Sequence, residues 1–181
     1  MKTLGETAPS AWVGCWGCYN NGALIGKWLR GELIGDPVAA GLATLETVGD
    51  YTAPRCVRCF ADEFGVFDTE GMLGLVRGEC SLAEAAAAAE TVEAIEAAGH
   101  DLEAAAAYID DRGEWVESDF EDSYQGEFDT LEDFAQDLAY GCGLVDNNAA
   151  WPHNCIDWEH AAHELSYDYA LLGDRFIFRQ I

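Results

Sequence analysis

The stretch "SLAEAAAAAETVEAIEAAG", Ser81 to Gly99, decides how the rest of the chain is read. Ser81 and Glu84 stand three residues apart ahead of an apolar run, the pattern of a capping box that opens a helix, and Gly99 supplies the stop. Leu82, Ala85, Ala89, Val92 and Ile95 recur at helical spacing, while Glu90, Glu93 and Glu96 run along another flank. A second helix is expected from Asp101 to about Arg112, ending at Gly113. The many alanines imply close helix packing, because small side chains let two axes approach.

The acidic flank has almost no basic counterpart. Residues 78–174 contain 25 carboxylates and a single basic residue, Arg112. The whole chain of 181 residues carries 34 Asp and Glu against 9 Lys and Arg, a formal net charge of -25. Nucleic-acid binding is disfavoured, since it needs Lys and Arg to displace phosphate counterions. The expected partner is basic. Disorder is also disfavoured: 50% hydrophobic and 12% aromatic content supports a folded core. A halophile-like solubility surface would spread its acids over the whole chain, whereas here the two ends keep the other eight bases. No run of 18 apolar residues and no secretory h-region is visible, so a cytoplasmic protein without membrane contact is expected.

On the N-terminal side, residues 11–78 read as mixed α/β. "AWVGCWGCY" is expected as a strand, "NNG" as a turn and "LIGKWLRGE" as the returning strand of a hairpin. "DPVAAGLATLETVG" is read as a short helix, and "RCVRCFADEFGVFD" as a third extended segment pairing with the first. Two C-x-x-C pairs fall in this region, Cys15 with Cys18 and Cys56 with Cys59. Such spacing lets both sulfurs of each pair reach one ion at about 2.3 Å, so the four are candidate ligands of a structural zinc. The competing reading is thiols packed in a core. A redox pair is disfavoured because neither pair visibly opens a helix that would lower a thiol pKa.

On the C-terminal side, "EWVESDFEDSYQGEFD" is an acidic connector interleaved with aromatics, followed by a helix from Asp129 or Thr130 to Gly141. "VDNNAAWPHN" reads as a loop, Asp157 caps a further helix, and "SYDYALLGDRFIFRQI" closes as a hairpin turning at Gly173 and Asp174. Cys142, His153, Cys155, His160 and His163 bear metal-capable or nucleophilic groups: His160 and His163 at i, i+3 could face one ion, though two His on a helix surface are more often solvated, and Cys155 with His153 could form a hydrolase dyad, though sequence-adjacent residues seldom orient correctly and no oxyanion motif is evident. No EF-hand loop, Walker A or G-x-G-x-x-G element is present. No catalytic residue is expected.

The order of three motifs resembles the ArdA family of antirestriction proteins. They are "WVGCWGCYNNGALIGKW", then "YQGEFDTLEDFAQDLAYGCGL", then "IDWEHAAHELSYDYALLGDRFIF", together reaching from Trp12 to Phe178. The resemblance implies a noncatalytic DNA mimic, carried by mobile genetic elements, that occupies the DNA-binding groove of type I restriction-modification enzymes in a bacterial cell. It also implies an α+β fold, an elongated row of three small domains: sheet, helical, sheet. The matching boundaries are 1–74 for the N-terminal α/β domain with its possible zinc site, 75–116 for the acidic helical domain, and 117–181 for a C-terminal α/β domain that forms a homodimer. An antirestriction segment would fall around Leu144 to Leu165, where alignment is loose.

The carboxylates expected to act as phosphate surrogates are Glu90, Glu93, Glu96, Asp110, Asp111, Glu117, Asp119, Glu121, Asp122, Glu127, Glu132, Asp133 and Asp137. The zinc expectation rests on this sequence alone, since four thiols are not a requirement of the family. The alternative to mimicry is a zinc-containing acidic adaptor that docks another basic nucleic-acid-binding protein.

Overall fold

The computed structural model describes residues 8–145, 151 and 155–180. Among them are six α-helices and three small sheets, a mixed α/β architecture. The chain divides into two compact units, one ending at Glu114 and the other beginning at Trp115. The first holds β1 (Ser10–Cys15), α1 (Trp16–Asn20), β2 (Gly26–Leu29), a 3-10 turn (Gly31–Ile34), β3 (Ala43–Val48), β4 (Tyr51–Cys56), β5 (Phe64–Glu70), α2 (Leu82–Ala98) and α3 (Leu102–Arg112). Its sheets are β2-β1-β5 and the separate hairpin β3-β4.

The central sheet is antiparallel throughout, with Ala11 opposite Leu29 and Trp12 opposite Asp68. Ala11 and Val13 project from one face into a core with Leu29, Ile34 and Val66, which α2 closes with Ala85, Ala88 and Ala89. One core therefore spans position 74/75, and α2 belongs to the same compact unit as the first sheet. The opposite face depends on three glycines in one row, since Gly14 pairs with Gly26 on one side and Gly65 on the other. Aromatic rings lie over them: Phe67 covers Gly14, Trp16 covers Gly65, and a Cβ on Gly26 would stand 2.8 Å from Trp12 Nε1. Trp12 meets Trp28 edge-on at 6.1 Å, and Trp16 meets Phe67 at 4.4 Å. Glycine here supplies space for rings to approach the sheet closely.

Two expectations in this region need correction. The first strand stops at Cys15, and Trp16–Asn20 form a helical turn before the chain returns along β2. In a strand, Cys15 and Cys18 would point to opposite faces; a helical turn brings residues three apart to one side, and both thiols are buried. The expected helix over "DPVAAGLATLETVG" is instead a turn followed by β3. Asp36 Oδ1 accepts from the Val38 and Ala39 amides, both at 2.9 Å, and Thr47 and Thr52 then join hydroxyls across the β3-β4 pair at 2.8 Å. Local carboxylate-to-backbone bonds thus competed successfully with the helix. The "RCVRCFADEFGVFD" segment divides into the end of β4, a turn, and β5, which pairs with β1 as expected.

The helices follow the sequence pattern closely. Ser81 caps α2 through a complete capping box, with Glu84 N donating to Ser81 Oγ at 3.2 Å and Ser81 N donating to Glu84 Oε2 at 2.8 Å. Gly99 ends α2 with a φ of 82°, in the left-handed region that favours glycine. Asp101 caps α3, and Gly113 follows Arg112 as its stop.

The second unit contains α4 (Glu117–Ser123), β6 (Tyr124–Glu127), α5 (Leu131–Gly141), α6 (Trp158–Leu165), β7 (Tyr169–Leu172) and β8 (Phe176–Arg179), with sheet order β6-β8-β7. Phe176, Ile177 and Phe178 are all buried on the central strand. The expected connector is in fact α4 and β6. Its aromatics explain why, as Phe120 stacks on Tyr124 at 5.2 Å and meets Phe178 at 5.7 Å. Thr130 and Asp157 cap α5 and α6 as the sequence indicates, and the closing hairpin turns at Gly173 and Asp174, both at positive φ. The loop expected between Val145 and Asn154 falls largely on residues 146–150 and 152–154, outside the described residues.

The glycine row should tolerate no side chain. Gly65→Ala would force the Trp16 ring from its seat and destabilise the first unit by about 1–3 kcal/mol. Hydrogen exchange should show faster opening of β1 and β5 with β7-β8 unchanged; unaltered protection of β1 would contradict the packing described.

The α2 cap should be sensitive to acid. The Ser81 hydroxyl and amide hold the Glu84 carboxyl below the usual carboxylate range. A lowered folded pKa stabilises above the unfolded value, and the contribution disappears as pH falls through the folded one. The stability difference between wild type and Ser81→Ala should narrow across that acid window in denaturant titrations, and a pH-independent difference would refute the capping account.

Candidate acidic interface and thiol cluster

Every carboxylate singled out in the sequence is exposed. On α2 this follows from how the helix is seated: Ala85, Ala88, Ala89, Val92 and Ile95 are buried, so Glu90, Glu93 and Glu96 face solvent. Three helical residues rise about 4.5 Å, so these carboxylates step along the helix at that axial interval. On α3, Asp110 and Asp111 lie in the last turn; on α4, Glu117, Asp119, Glu121 and Asp122 surround the buried Phe120. Glu127 ends β6, and α5 carries Glu132, Asp133 and Asp137 opposite buried Phe134 and Ala135.

Their electrostatic settings differ. Asp110 is paired with Arg77, Asp111 lies 3.3 Å from Arg112, and Glu127 accepts from Arg175 at 2.6 Å. These pairs are substantially exposed, a setting in which an ion pair contributes about 0–1 kcal/mol. Among the described residues, no cation lies within ion-pair distance of Glu90, Glu93, Glu96, Asp119, Asp122, Glu132, Asp133 or Asp137. Helix ends supply part of the missing compensation. Glu84, Glu103, Glu117, Asp119, Glu132 and Asp133 all occupy first turns, where unpaired backbone amides favour negative charge. Asp133 is held further by Thr130, whose hydroxyl donates to Oδ2 at 2.6 Å.

The two C-x-x-C pairs converge. Cys15 Sγ lies 3.4 Å from Cys59 Sγ, Cys18 Sγ lies 3.7 Å from Cys56 Sγ, and all four sulfurs fall within 4.8 Å of one another. Cys15, Cys18 and Cys56 are buried with Ala23, Ile25, Ala61 and Phe64 packed against them; Cys59 is exposed. Burial pushes the Cys15 thiol up, and burial with the neighbouring thiols pushes Cys18 up to about 12. Burial also acts to raise Cys56, but the amides of Cys59 and Arg58 and the thiols of Cys15 and Cys18 outweigh it and bring Cys56 to about 7.

Cys15 does precede a helical turn, contrary to the expectation that neither pair opens a helix. The turn has only five residues, and the Cys15 thiol is raised rather than lowered, the reverse of an activated redox cysteine.

The metal-capable side chains singled out in the C-terminal part of the sequence are not brought together among the described residues. Cys142, Cys155, His160 and His163 are exposed and form no ligand cluster among the described residues, while His153 lies outside them. His163 packs edge-on against Tyr167 at 5.5 Å. No helix of the described residues is long and apolar enough to cross a membrane. One residue was missed in the sequence. Gly17, inside the first C-x-x-C, lets the second pair approach, since a Cβ there would stand 2.6 Å from Ala61 Cβ and 3.2 Å from Cys59 Sγ. Its place between two spaced cysteines was the available signal.

The family resemblance read in the sequence is also found by comparison with known proteins. Residues 11–175 match the family model described as "Antirestriction protein (ArdA)", which covers both compact units. No curated protein matches the chain. A match over this much of the sequence establishes descent, and the chain belongs to the ArdA family of antirestriction proteins.

Proposed function

We propose that the protein is a noncatalytic inhibitor whose surface carboxylates stand in for DNA phosphates and occupy the DNA-binding groove of type I restriction-modification enzymes. The observation that carries this reading is a set of exposed carboxylates, Glu90, Glu93 and Glu96 on α2, Asp119 and Asp122 on α4, and Glu132, Asp133 and Asp137 on α5, with no cation within ion-pair distance among the described residues. An ordinary protein surface intersperses charges of both signs, because like charges repel and weaken the fold. A groove lined with Lys and Arg releases its counterions to any matching array of anions, phosphate or carboxylate. Inhibition by occupancy needs no proton transfer, nucleophile or bound cofactor. Its place of action is the cytoplasm of a bacterial host, where such enzymes meet incoming DNA.

The family arrangement of three domains, 1–74, 75–116 and 117–181, belongs to the same proposal, the first two sharing the core that α2 closes over the first sheet, and so does a homodimer formed through the last. Support for the dimer comes from large apolar side chains that the second unit leaves in water: Leu144, Trp151 and Tyr167 are each at least two-thirds exposed. A pair of chains, each at -25, carries the phosphate charge of roughly 85 Å of duplex at about 1.7 Å of axis per charge.

Replacing Glu90, Glu93 and Glu96 with Gln removes charge from a solvent-facing flank without touching the α2 core. Affinity for a type I enzyme should fall, and the slope of log affinity against log salt should become shallower by about one for each carboxylate that makes a contact. Binding assays across a salt series read both quantities. Unchanged affinity and slope would remove α2 from the interface.

The dimer has its own test. Leu144→Asp with Trp151→Asp should shift sedimentation to the monomer, while circular dichroism stays native. A monomeric wild-type chain at micromolar concentration would contradict the proposed assembly.

A further inference from the structure

Four thiols from two distant segments meet in the first unit, and nothing in the inhibitory reading uses them. The segments are equivalent in form. In each, a strand ends at the first cysteine, β1 at Cys15 and β4 at Cys56, and a tight turn carries the second. The first turn is closed by Asn21 N to Cys18 O at 3.1 Å and Ala23 N to Cys18 O at 2.9 Å. The second turn is closed by two further bonds, Phe60 N to Cys56 O at 3.0 Å and Cys56 N to Ala61 O at 2.8 Å.

The sulfur spacing fits an ion at the centre. Four thiolates at about 2.3 Å from a tetrahedral metal stand about 3.8 Å from one another. Two of the sulfur–sulfur distances, 3.4 and 3.7 Å, and the common limit of 4.8 Å bracket that value. Disulfides would require only that sulfurs meet two by two at about 2.05 Å, and would give no reason for all four to converge. A purely thiolate tetrahedral set selects zinc or iron over harder cations, and four protein ligands leave no open position for water or substrate.

We propose that Cys15, Cys18, Cys56 and Cys59 hold one structural zinc ion in a closed tetrahedral site that fastens the β3-β4 hairpin to the β1 sheet. The hairpin needs such a fastening. A lone two-stranded sheet is marginal in water, and Leu45, Tyr51, Val57 and Phe60 on or beside this one are exposed. Its contact with the central sheet passes through the small cluster of Cys15, Cys18 and Cys56. Gly17 is a positioning residue of the site, because any side chain there would drive the Cys56–Cys59 turn away.

This proposal is independent of DNA mimicry, and its test uses the full chain and no restriction enzyme. Zinc released by a mercurial reagent from protein purified without chelator should amount to about one ion per chain. Cys142→Ser and Cys155→Ser should retain it. Cys59→Ser, at the exposed ligand, and Gly17→Val, which removes no ligand, should each lower zinc affinity by about tenfold or more. Cobalt substituted into the wild-type chain should give thiolate charge-transfer bands and strong tetrahedral d–d absorption, a readout that does not depend on any variant folding. Four free thiols without metal, two disulfides, bound iron in place of zinc, or zinc content and affinity unaffected in Cys59→Ser would each overturn the assignment.

Discussion

Repulsion between carboxylates is the constraint around which this chain is built. A net charge of -25 on 181 residues opposes compaction, and along residues 78–174 only one basic residue is present to relieve it. The structure answers with devices that leave the outer surface negative. Acids gather in the first turns of α2, α3, α4 and α5, where helix amides compensate them without a cation. Alanine on the inner faces of α2 and α3 permits close packing, so both helices are held by buried apolar contact rather than by surface ion pairs. Where arginines do reach carboxylates, as at Asp110, Asp111 and Glu127, they are few and exposed.

The N-terminal end of the chain, which holds six of the nine basic residues, solves a different problem. The central sheet is covered on one face by α2 and on the other by tryptophan and phenylalanine rings lying over three aligned glycines. Gly14 and Gly26 are neighbours across the β1-β2 pair, where Phe67 and Trp12 occupy the room that side chains would take. The same hairpin carries the first thiol pair on its helical turn, so the ring-covered sheet and the proposed zinc site share one short segment, Ser10 to Leu29. A small domain with a limited apolar core gains most from such a staple.

What the sequence made legible was whatever local chemistry decides. Ser81 with Glu84, Asp101, Thr130 and Asp157 marked four helix starts, Gly99 and Gly113 marked two ends, and Gly173 with Asp174 marked a turn; all are where the residues put them. The failures arose where tertiary contact overrode local preference. Trp16 to Tyr19 favour strand by type, yet the burial of Cys18 beside Cys56 requires a helical turn. Phe120 and Tyr124 lie in an acidic stretch with a connector's composition, and stacking on Phe178 turns it into α4 and β6. The carboxylate surface was readable as composition, since exposure follows from the buried faces of the helices. Which acids already hold an arginine was not, because Arg77 and Asp110 are 33 residues apart.

The most direct test of the proposed mimicry is a binding competition on a purified type I restriction-modification enzyme with labelled duplex DNA. The account predicts mutually exclusive binding: saturating protein displaces the duplex completely, and added duplex releases the protein in turn. A stable ternary complex, in which DNA stays bound while the protein is at saturation, would contradict it.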